Sequence, residues 1–255
     1  MNKLFAFFLL PVLLLSCGKS KEPVTMTLLS YNVGVFSKYE DDTTPQVAEL
    51  ICSAGASLVA LNELDSCNRR HAAFQLKELA AQLGDWPFQF ASAFPYAGGA
   101  YGNGVVSSDK VISRYKVHLP KSDGSEPRSI AVVETDRCVF ASVHLDYVGE
   151  NSQRDQVEAL NDWFKAVYGN SKKPVFLCGD FNAEPDSETI RLMREGWTQL
   201  SGTDNTYSTV NPSICIDYVF AYKAAAPVEV ISSEVLTAGT ESLSDHFPVK
   251  VVVKF

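Results

Sequence analysis

The chain has 255 residues, of which 46% are hydrophobic and 20% charged, and its formal net charge at pH 7 is −8. This size and composition are typical of one globular domain or two small ones. An acidic chain without a lysine and arginine cluster argues against a protein that binds long nucleic acid through a basic surface.

The N-terminal segment is predicted to be a secretory signal rather than part of the fold. Lys3 precedes an apolar run from Leu4 to Leu15 that is shorter than the roughly twenty residues of a spanning helix, and Leu-Leu-Ser-Cys closes the run. That tetrapeptide resembles a bacterial lipobox, whose cysteine carries a lipid. We therefore predict a lipoprotein signal peptide over residues 1–16, a lipid on Cys17, a tether over residues 17–24 and membrane anchoring in the bacterial cell envelope. The alternative is an unlipidated signal peptide.

The first half of the mature chain is predicted to contain both strands and helices. Apolar runs predict strands over residues 27–33, 58–61 and 105–107 and helices over residues 45–54 and 71–83. The glycines at positions 98, 99, 102 and 104 are predicted to form a loop before a strand. A dinucleotide-binding loop follows a strand and precedes a helix, so this arrangement argues against that function.

The second half is predicted to be richer in strands. The apolar runs predict strands over residues 139–145, 174–178, 216–221, 228–235 and 248–253 and helices over residues 152–168 and 186–195. No repeat or linker interrupts residues 25–255, which favours a single domain. Because the strands outnumber the helices and do not alternate strictly with them, we expect an α+β arrangement with sheet packed on sheet and helices outside.

The cysteines do not predict a metal cluster or a redox centre. Five remain after Cys17, an odd number, and no two of them have the C-x-x-C spacing. A disulfide between Cys52 and Cys67 is left open.

Polar groups that can bind metal or phosphate occur at six predicted strand ends. They are Asn32, Glu63, His144, Asp180 with Asn182, Asp217, and Asp245 with His246. Any one of them alone is more typical of a turn or a helix cap. Strand ends on one edge of a sheet lie close together, so the recurrence predicts one site.

Seven short motifs surround these residues. In chain order they are Ser30-Tyr31-Asn32-Val33, Leu61-Asn62-Glu63, the stretch Tyr101–Ser107, Ser142-Val143-His144-Leu145, Gly179-Asp180-Phe181-Asn182, Ile216-Asp217-Tyr218 and Ser244-Asp245-His246-Phe247-Pro248. Together they resemble the endonuclease/exonuclease/phosphatase superfamily, the deoxyribonuclease-I-like metal-dependent phosphohydrolases. Asn62 stands where that family usually has Gln, and Val143 where it has Thr. The resemblance implies a four-layer α/β/β/α sandwich of two mixed sheets over residues 25–255.

The resemblance also implies roles for the site residues. Asn32, Glu63 and Asp245 would hold Mg²⁺ or Mn²⁺, which prefer hard oxygen ligands. His144 and Asn182 would bind phosphate oxygens. Asp217 would orient His246, and both Asp180 and His246 are candidates for the general base. Asn103 and Arg70 are predicted to contact substrate.

We therefore expect a divalent-metal-dependent phosphoesterase that uses water as its nucleophile and acts outside the cytoplasm as a monomer. Its substrate would be a small or lipid-linked phosphate ester. The alternatives are an exported nuclease that degrades exogenous nucleic acid and a catalytically dead binding lipoprotein on the same scaffold. The chain has no G-x-S-x-G, H-E-x-x-H or G-x-x-x-x-G-K motif for other hydrolytic mechanisms.

Overall fold

The computed structural model describes residues 23–121 and 126–255. The predicted signal peptide and Cys17, with most of the tether, lie outside these residues. Across the described ranges, no helix is long and apolar enough to cross a membrane. The elements in chain order are β1 (Thr25–Asn32), α1 (Thr44–Ser53), β2 (Leu58–Ser66), α2 (Gln75–Gln82), β3 (Phe88–Tyr96), β4 (Gly99–Ser107), β5 (Val111–His118), β6 (Ser129–Thr135), β7 (Val139–His144), α3 (Glu150–Tyr168), β8 (Val175–Asp180), α4 (Glu188–Gly196), β9 (Trp197–Gln199), β10 (Asp217–Tyr222), β11 (Glu229–Val235) and β12 (Val249–Lys254).

The strands form two six-stranded mixed sheets. The first has the order β11-β12-β1-β2-β4-β3 and the second the order β5-β6-β7-β8-β10-β9. Each described sheet contains one parallel pair, β1 with β2 and β7 with β8, and its other neighbours are antiparallel. The predicted α+β sandwich of two mixed sheets is therefore confirmed.

Three apolar layers hold the sandwich together. The layer between the sheets includes Leu28, Phe140 and Val251, all fully buried. A second layer lies where α1 and α2 cover the first sheet, and a third where α3 and α4 cover the second sheet. Burial alternates along β12, as expected from the two-residue period of a strand: Val249, Val251 and Val253 are buried, whereas Lys250, Val252 and Lys254 are partly exposed.

The predicted glycine loop is wrong, because these residues belong to a hairpin. β3 and β4 pair along their whole length, and the connecting turn is formed by Ala97 and Gly98, both with positive φ. Gly102 lies inside β4, where an added Cβ would overlap the carbonyl oxygen of Ala91 on the neighbouring strand. Close approach of two backbones explains this glycine better than a flexible loop does.

Other boundaries also differ from the prediction. Helix α2 begins at Gln75 rather than residue 71, because the side chain of Asn68 accepts hydrogen bonds from the backbone N–H groups of Arg70 and His71 and holds a turn there. No strand is predicted at β3, β5, β6 or β9. β5 is a largely exposed edge strand and β9 has only three residues, so neither carries a strong apolar signal.

The topology brings six strands to one edge. The strands β1, β7 and β8 end there, β10 and β12 begin there, and β2 passes the same edge at Asn62, which is paired with Asn32. Asp217 at the start of β10 is paired with Asp180 at the end of β8, which is itself paired with His144 at the end of β7.

Candidate active site

A pocket of about 490 Å³ opens at this edge of the sandwich. Six of the predicted site residues line it: Glu63, His144, Asp180, Asn182, Asp245 and His246. Asn32 and Asp217 are fully buried and contact these lining residues from below. The sequence motifs thus converge in space, although the roles of their residues remain predictions.

A β-bulge directs Glu63 into the pocket. In β2, Asn62 and Glu63 together stand opposite the single residue Asn103 of β4, and Glu63 has φ 57°. A bulge of this kind re-aims side chains. Asn62 consequently points between the sheets, where its Nδ2 donates to the carbonyl of Val143 at 2.8 Å and its Oδ1 accepts the N–H of Asp180 at 3.0 Å. The bulge therefore also ties the two sheets together beneath the pocket.

The amide of Asn32 connects carboxylates from both sheets. Its Nδ2 donates to Oε1 of Glu63 at 3.1 Å and to Oδ2 of Asp180 at 3.1 Å. Its Oδ1 accepts the N–H of Gly34 at 3.1 Å, which fixes the orientation of the amide. In this orientation Asn32 presents nitrogen to the centre of the site and positions the two acids.

His246 and Asp217 form a buried pair. Nδ1 of His246 is 2.9 Å from Oδ2 of Asp217, as the sequence interpretation predicts. Burial alone would lower the pKa of His246. The charge of Asp217 and its hydrogen bond, followed by the charges of Asp180 and Asp245, outweigh burial and raise this pKa to about 10. The imidazole is therefore a cation at neutral pH.

Asp180 occupies the centre of the site. The preceding Gly179 has φ 147°, and an added Cβ there would overlap the carbonyl oxygen of Val143, so the close approach of β7 to β8 requires glycine. Oδ2 of Asp180 lies 3.7 Å from Nε2 of His246. Burial, followed by the charge of Asp217, raises the pKa of Asp180.

His144 and Asn182 lie on either side of Asp180. Nε2 of His144 is 3.5 Å from Oδ2 of Asp180, and burial, followed by the charge of Arg128, lowers the pKa of His144 well below its usual value. This imidazole is therefore neutral at neutral pH. The backbone N–H of Asn182 donates to Oδ1 of Asp180 at 2.8 Å, and its side-chain amide donates to the carbonyl of Leu145 at 3.0 Å.

The structure does not place Asn103 or Arg70 on the pocket wall. Asn103 is 1% exposed and donates to the carbonyl of Ser142 at 2.6 Å between the sheets. Nε and Nη2 of Arg70 donate to the two carboxylate oxygens of Asp65 at 2.7 and 2.9 Å, and its guanidinium lies over the ring of Tyr96. Both side chains serve contacts within the protein.

Several lining side chains were not predicted as site residues, and three of them contact or lie near predicted ones. Lys38 binds Oδ2 of Asp245 at 2.6 Å, the ring of Tyr207 lies 4.8 Å from that of His246, and Arg128 lines the wall near His144. Each comes from a segment without strand periodicity. The one sequence signal for Arg128 is that it lies two residues before the short apolar run over residues 130–133, which becomes part of β6.

The donor set fits a hard divalent cation. Glu63 and Asp245 offer carboxylate oxygens at the pocket wall. Single ligand atoms of Asp180, Asp217 and His246 also lie within 4.8 Å of one another. In that second group, however, Nδ1 of His246 is already bonded to Asp217, and Asp217 is fully buried. The oxygen atoms of Glu63 and Asp245 are therefore the more accessible ligands.

Comparisons with known proteins agree with this fold and site. A sequence profile of the Endonuclease/Exonuclease/phosphatase family matches residues 29–246. No curated protein matches the chain significantly. Among solved structures, a family member from Bacteroides thetaiotaomicron superimposes with a TM-score of 0.72 at 18% identity, covering 92% of this chain and 99% of that chain. A mannosyl-6-phosphatase from Bacteroides thetaiotaomicron VPI-5482 gives 0.71 at 19% identity, with coverage of 90% and 100%.

The 2',3'-cyclic phosphatase ANGEL2 is similar as well, with a TM-score of 0.72 at 13% identity and coverage of 91% and 95%. At these identities the structures show a common fold. The family profile extends over most of the sequence and includes the residues that line the pocket. The chain belongs to the endonuclease/exonuclease/phosphatase family.

Proposed function

We propose that this protein is a divalent-metal-dependent phosphoesterase that hydrolyses small phosphate esters by attack of water. The supporting observation is that one amide nitrogen, Nδ2 of Asn32, contacts both Glu63 of the first sheet and Asp180 of the second. A phosphate bound in the pocket could therefore contact groups from both sheets at once. Membership of a family that contains nucleases and phosphatases supports phosphate-ester chemistry.

Glu63 and Asp245 would hold Mg²⁺ or Mn²⁺. The ion would neutralise charge on the phosphoryl oxygens and on the leaving oxygen. Asn32 could join these ligands only if its amide turned over to present oxygen, with loss of the hydrogen bond from Gly34. Asn32 therefore acts first as a positioning residue for the two acids that it contacts.

Asp180 is the better candidate for the general base. Its raised pKa, caused by burial and then by the charge of Asp217, makes its carboxylate a stronger proton acceptor than an ordinary aspartate. His246 is held as a cation by Asp217 and cannot accept a proton in that state. A cationic imidazole can instead donate a hydrogen bond to a phosphate oxygen, and so stabilise the charge that builds during attack.

His144 and Asn182 would bind the remaining phosphate oxygens. The neutral imidazole of His144 carries one N–H, and the side-chain amide of Asn182 has a second N–H besides the one that reaches Leu145. Both side chains line the pocket beside Asp180. Donors aimed at the phosphate from a rigid wall stabilise the transition state without reorganisation.

The charge of the pocket favours a small substrate over nucleic acid. Its lining carries the carboxylates of Glu63, Glu126 and Asp245 around a volume of about 490 Å³. A polynucleotide would bring flanking phosphates against these acids, whereas nucleic-acid binding relies on basic residues. The fold shared with a mannosyl-6-phosphatase supports a small phosphomonoester.

We further propose that the enzyme is an exported lipoprotein anchored through Cys17. This rests on the apolar run and the Leu-Leu-Ser-Cys sequence near the N-terminus. Metabolic labelling with a radioactive fatty acid should mark the membrane fraction of the wild type, and Cys17→Ser should lose the label. A wild type that stays unlabelled would contradict the anchor.

A substrate panel tests the function. We expect the wild type to release product from p-nitrophenyl phosphate or hexose phosphates with Mg²⁺ and to stop when a chelator is added. Asp180→Asn should lower kcat by about 10²- to 10⁴-fold, as expected for loss of a general base. Asp109→Asn, in an ion pair with Arg137 away from the pocket, serves as the matched control and should stay near the wild-type rate.

The same panel separates the alternatives. Faster nicking of plasmid DNA than hydrolysis of any small ester would favour the exported nuclease. Absence of turnover on every ester, with tight binding of one of them, would favour a binding lipoprotein.

A further inference from the structure

Arg128 is a buried guanidinium with few partners. It is 3% exposed, yet it lines the pocket. Among the described residues its one ion-pair partner is Glu126, with Oε2 3.3 Å from Nη2, and the side chain of Glu126 is 37% exposed. Within the same described ranges, Nε of Arg128 has no hydrogen-bond partner. A buried charge that is incompletely paired is costly, so this guanidinium is suited to receive an anion.

Its position puts that anion at the reaction site. Arg128 is close enough to His144 for its charge to lower the pKa of that imidazole, and Tyr101 lies on the same wall. Lys38, the other lysine or arginine that lines the pocket in the described residues, is already bonded to Asp245 at 2.6 Å. Arg128 is therefore the lining cation with a donor still unused.

We propose that Arg128 binds the non-bridging oxygens of a phosphomonoester dianion and makes the enzyme prefer monoesters to diesters. This inference rests on the proposed phosphoesterase function and narrows its substrate class. A guanidinium presents a planar fork that matches two oxygens of one phosphate. A monoester offers three non-bridging oxygens, whereas a diester carries an organic group on one of these positions.

Arg128 adds a cation to the other donors of the site. His144 and Asn182 line the pocket beside Asp180, and each has an N–H that can face a phosphate oxygen. A monoester carries about one more negative charge than a diester near neutral pH, as the second pKa of about 6 for phosphate monoesters indicates. The extra charge and the extra oxygen are what an additional buried cation can recognise.

Two substrates that share a leaving group test this inference. p-Nitrophenyl phosphate and methyl p-nitrophenyl phosphate differ by one methyl group on a phosphate oxygen. Arg128→Met should lower kcat/KM for the monoester by about 10- to 150-fold, the equivalent of one charge-assisted hydrogen bond, and for the diester by less than about 3-fold. It should also raise the inhibition constant of inorganic phosphate by at least about tenfold.

Controls keep the result interpretable. Arg128→Lys retains the charge but not the fork, so the monoester preference should fall by an intermediate factor even if Arg128→Met fails to fold. Arg137→Met, a change at a partly exposed arginine paired with Asp109, should leave both rates unchanged. Thermal unfolding of each variant identifies any loss of fold.

The outcomes separate this inference from the proposed function. An equal loss on both esters, or no loss on either, in folded Arg128 variants overturns the role of Arg128 while the phosphoesterase function stands. A wild type that hydrolyses the diester faster than the monoester also overturns the role of Arg128 and leaves the phosphoesterase function standing. A wild type that hydrolyses neither ester contradicts both.

Discussion

Replacing Asp217 with asparagine tests the buried pair beneath the pocket. Asp217 is fully buried, and its Oδ2 is 2.9 Å from Nδ1 of His246. Asparagine has nearly the same shape and keeps a hydrogen-bond acceptor, but it removes the charge. After burial, which lowers the pKa of His246, the charge of Asp217 is the largest influence on that pKa. We therefore expect Asp217→Asn to lower the pKa of His246 toward or below its ordinary value.

The magnitude follows from the raised pKa. His246 moves from 6.5 in the unfolded chain to about 10 in the folded protein, so the folded state retains a proton that the unfolded state releases. This contribution to stability is complete below about pH 6.5 and is lost as the pH rises toward 10. At about 1.4 kcal/mol per pH unit, the free energy of unfolding of the wild type should fall by about 2 kcal/mol between about pH 7 and pH 8.5.

Urea unfolding followed by circular dichroism, with a chelator present, measures how steeply the free energy of unfolding falls with pH. Asp217→Asn should show a clearly shallower decline than the wild type, and Asp109→Asn should keep the wild-type slope. The buried thiols of Cys138, Cys178 and Cys215 also have raised pKa values, but burial, which neither substitution changes, is the largest cause for each of them. If Asp217→Asn and the wild type lose stability in parallel, His246 is not held as a cation by Asp217.

Three further changes probe separate parts of the site. Glu63→Gln should reduce Mg²⁺ binding, measured by calorimetry, by at least about tenfold, because a neutral amide replaces a carboxylate ligand; unchanged binding would exclude Glu63 as a ligand. Asn62→Ala should lower the free energy of unfolding by about 2–4 kcal/mol, because the carbonyl of Val143 and the N–H of Asp180 lose their partners. A change below about 0.5 kcal/mol would contradict the bridging role of Asn62. Arg70→Met should leave kcat/KM within about twofold of the wild type, because the guanidinium is bound to Asp65. A large increase in KM with an unchanged kcat would show that Arg70 binds substrate.

The convergence of the site could be predicted because it depends on strand ends. Asn32, His144 and Asp180 each close a buried apolar run, and parallel neighbours bring such ends to one edge. The pairing of His246 with Asp217 was likewise predictable from the resemblance of their motifs to a known family. Local sequence was sufficient where side-chain position follows directly from strand geometry.

The remaining residues depend on packing that sequence does not encode locally. Asn103 lies in a motif, but its side chain is enclosed between the sheets by partners from β7. Arg70 follows the Glu63 motif, yet Asp65 captures it within the same segment. Arg128 enters the pocket because β6 lies next to β7 in the second sheet, a neighbour relation that no local pattern predicts. Such assignments require the tertiary structure.

The most direct test of a single centre shared by both sheets is a double-mutant cycle on kcat/KM with Mg²⁺. Glu63→Gln alters the first sheet, Asp180→Asn alters the second, and the double variant combines them. If both side chains act on one phosphate, the double variant should be within about fivefold of the slower single variant, because residues that act as a unit are strongly non-additive. Losses that multiply in full would show that the two acids act independently, and would contradict the shared centre.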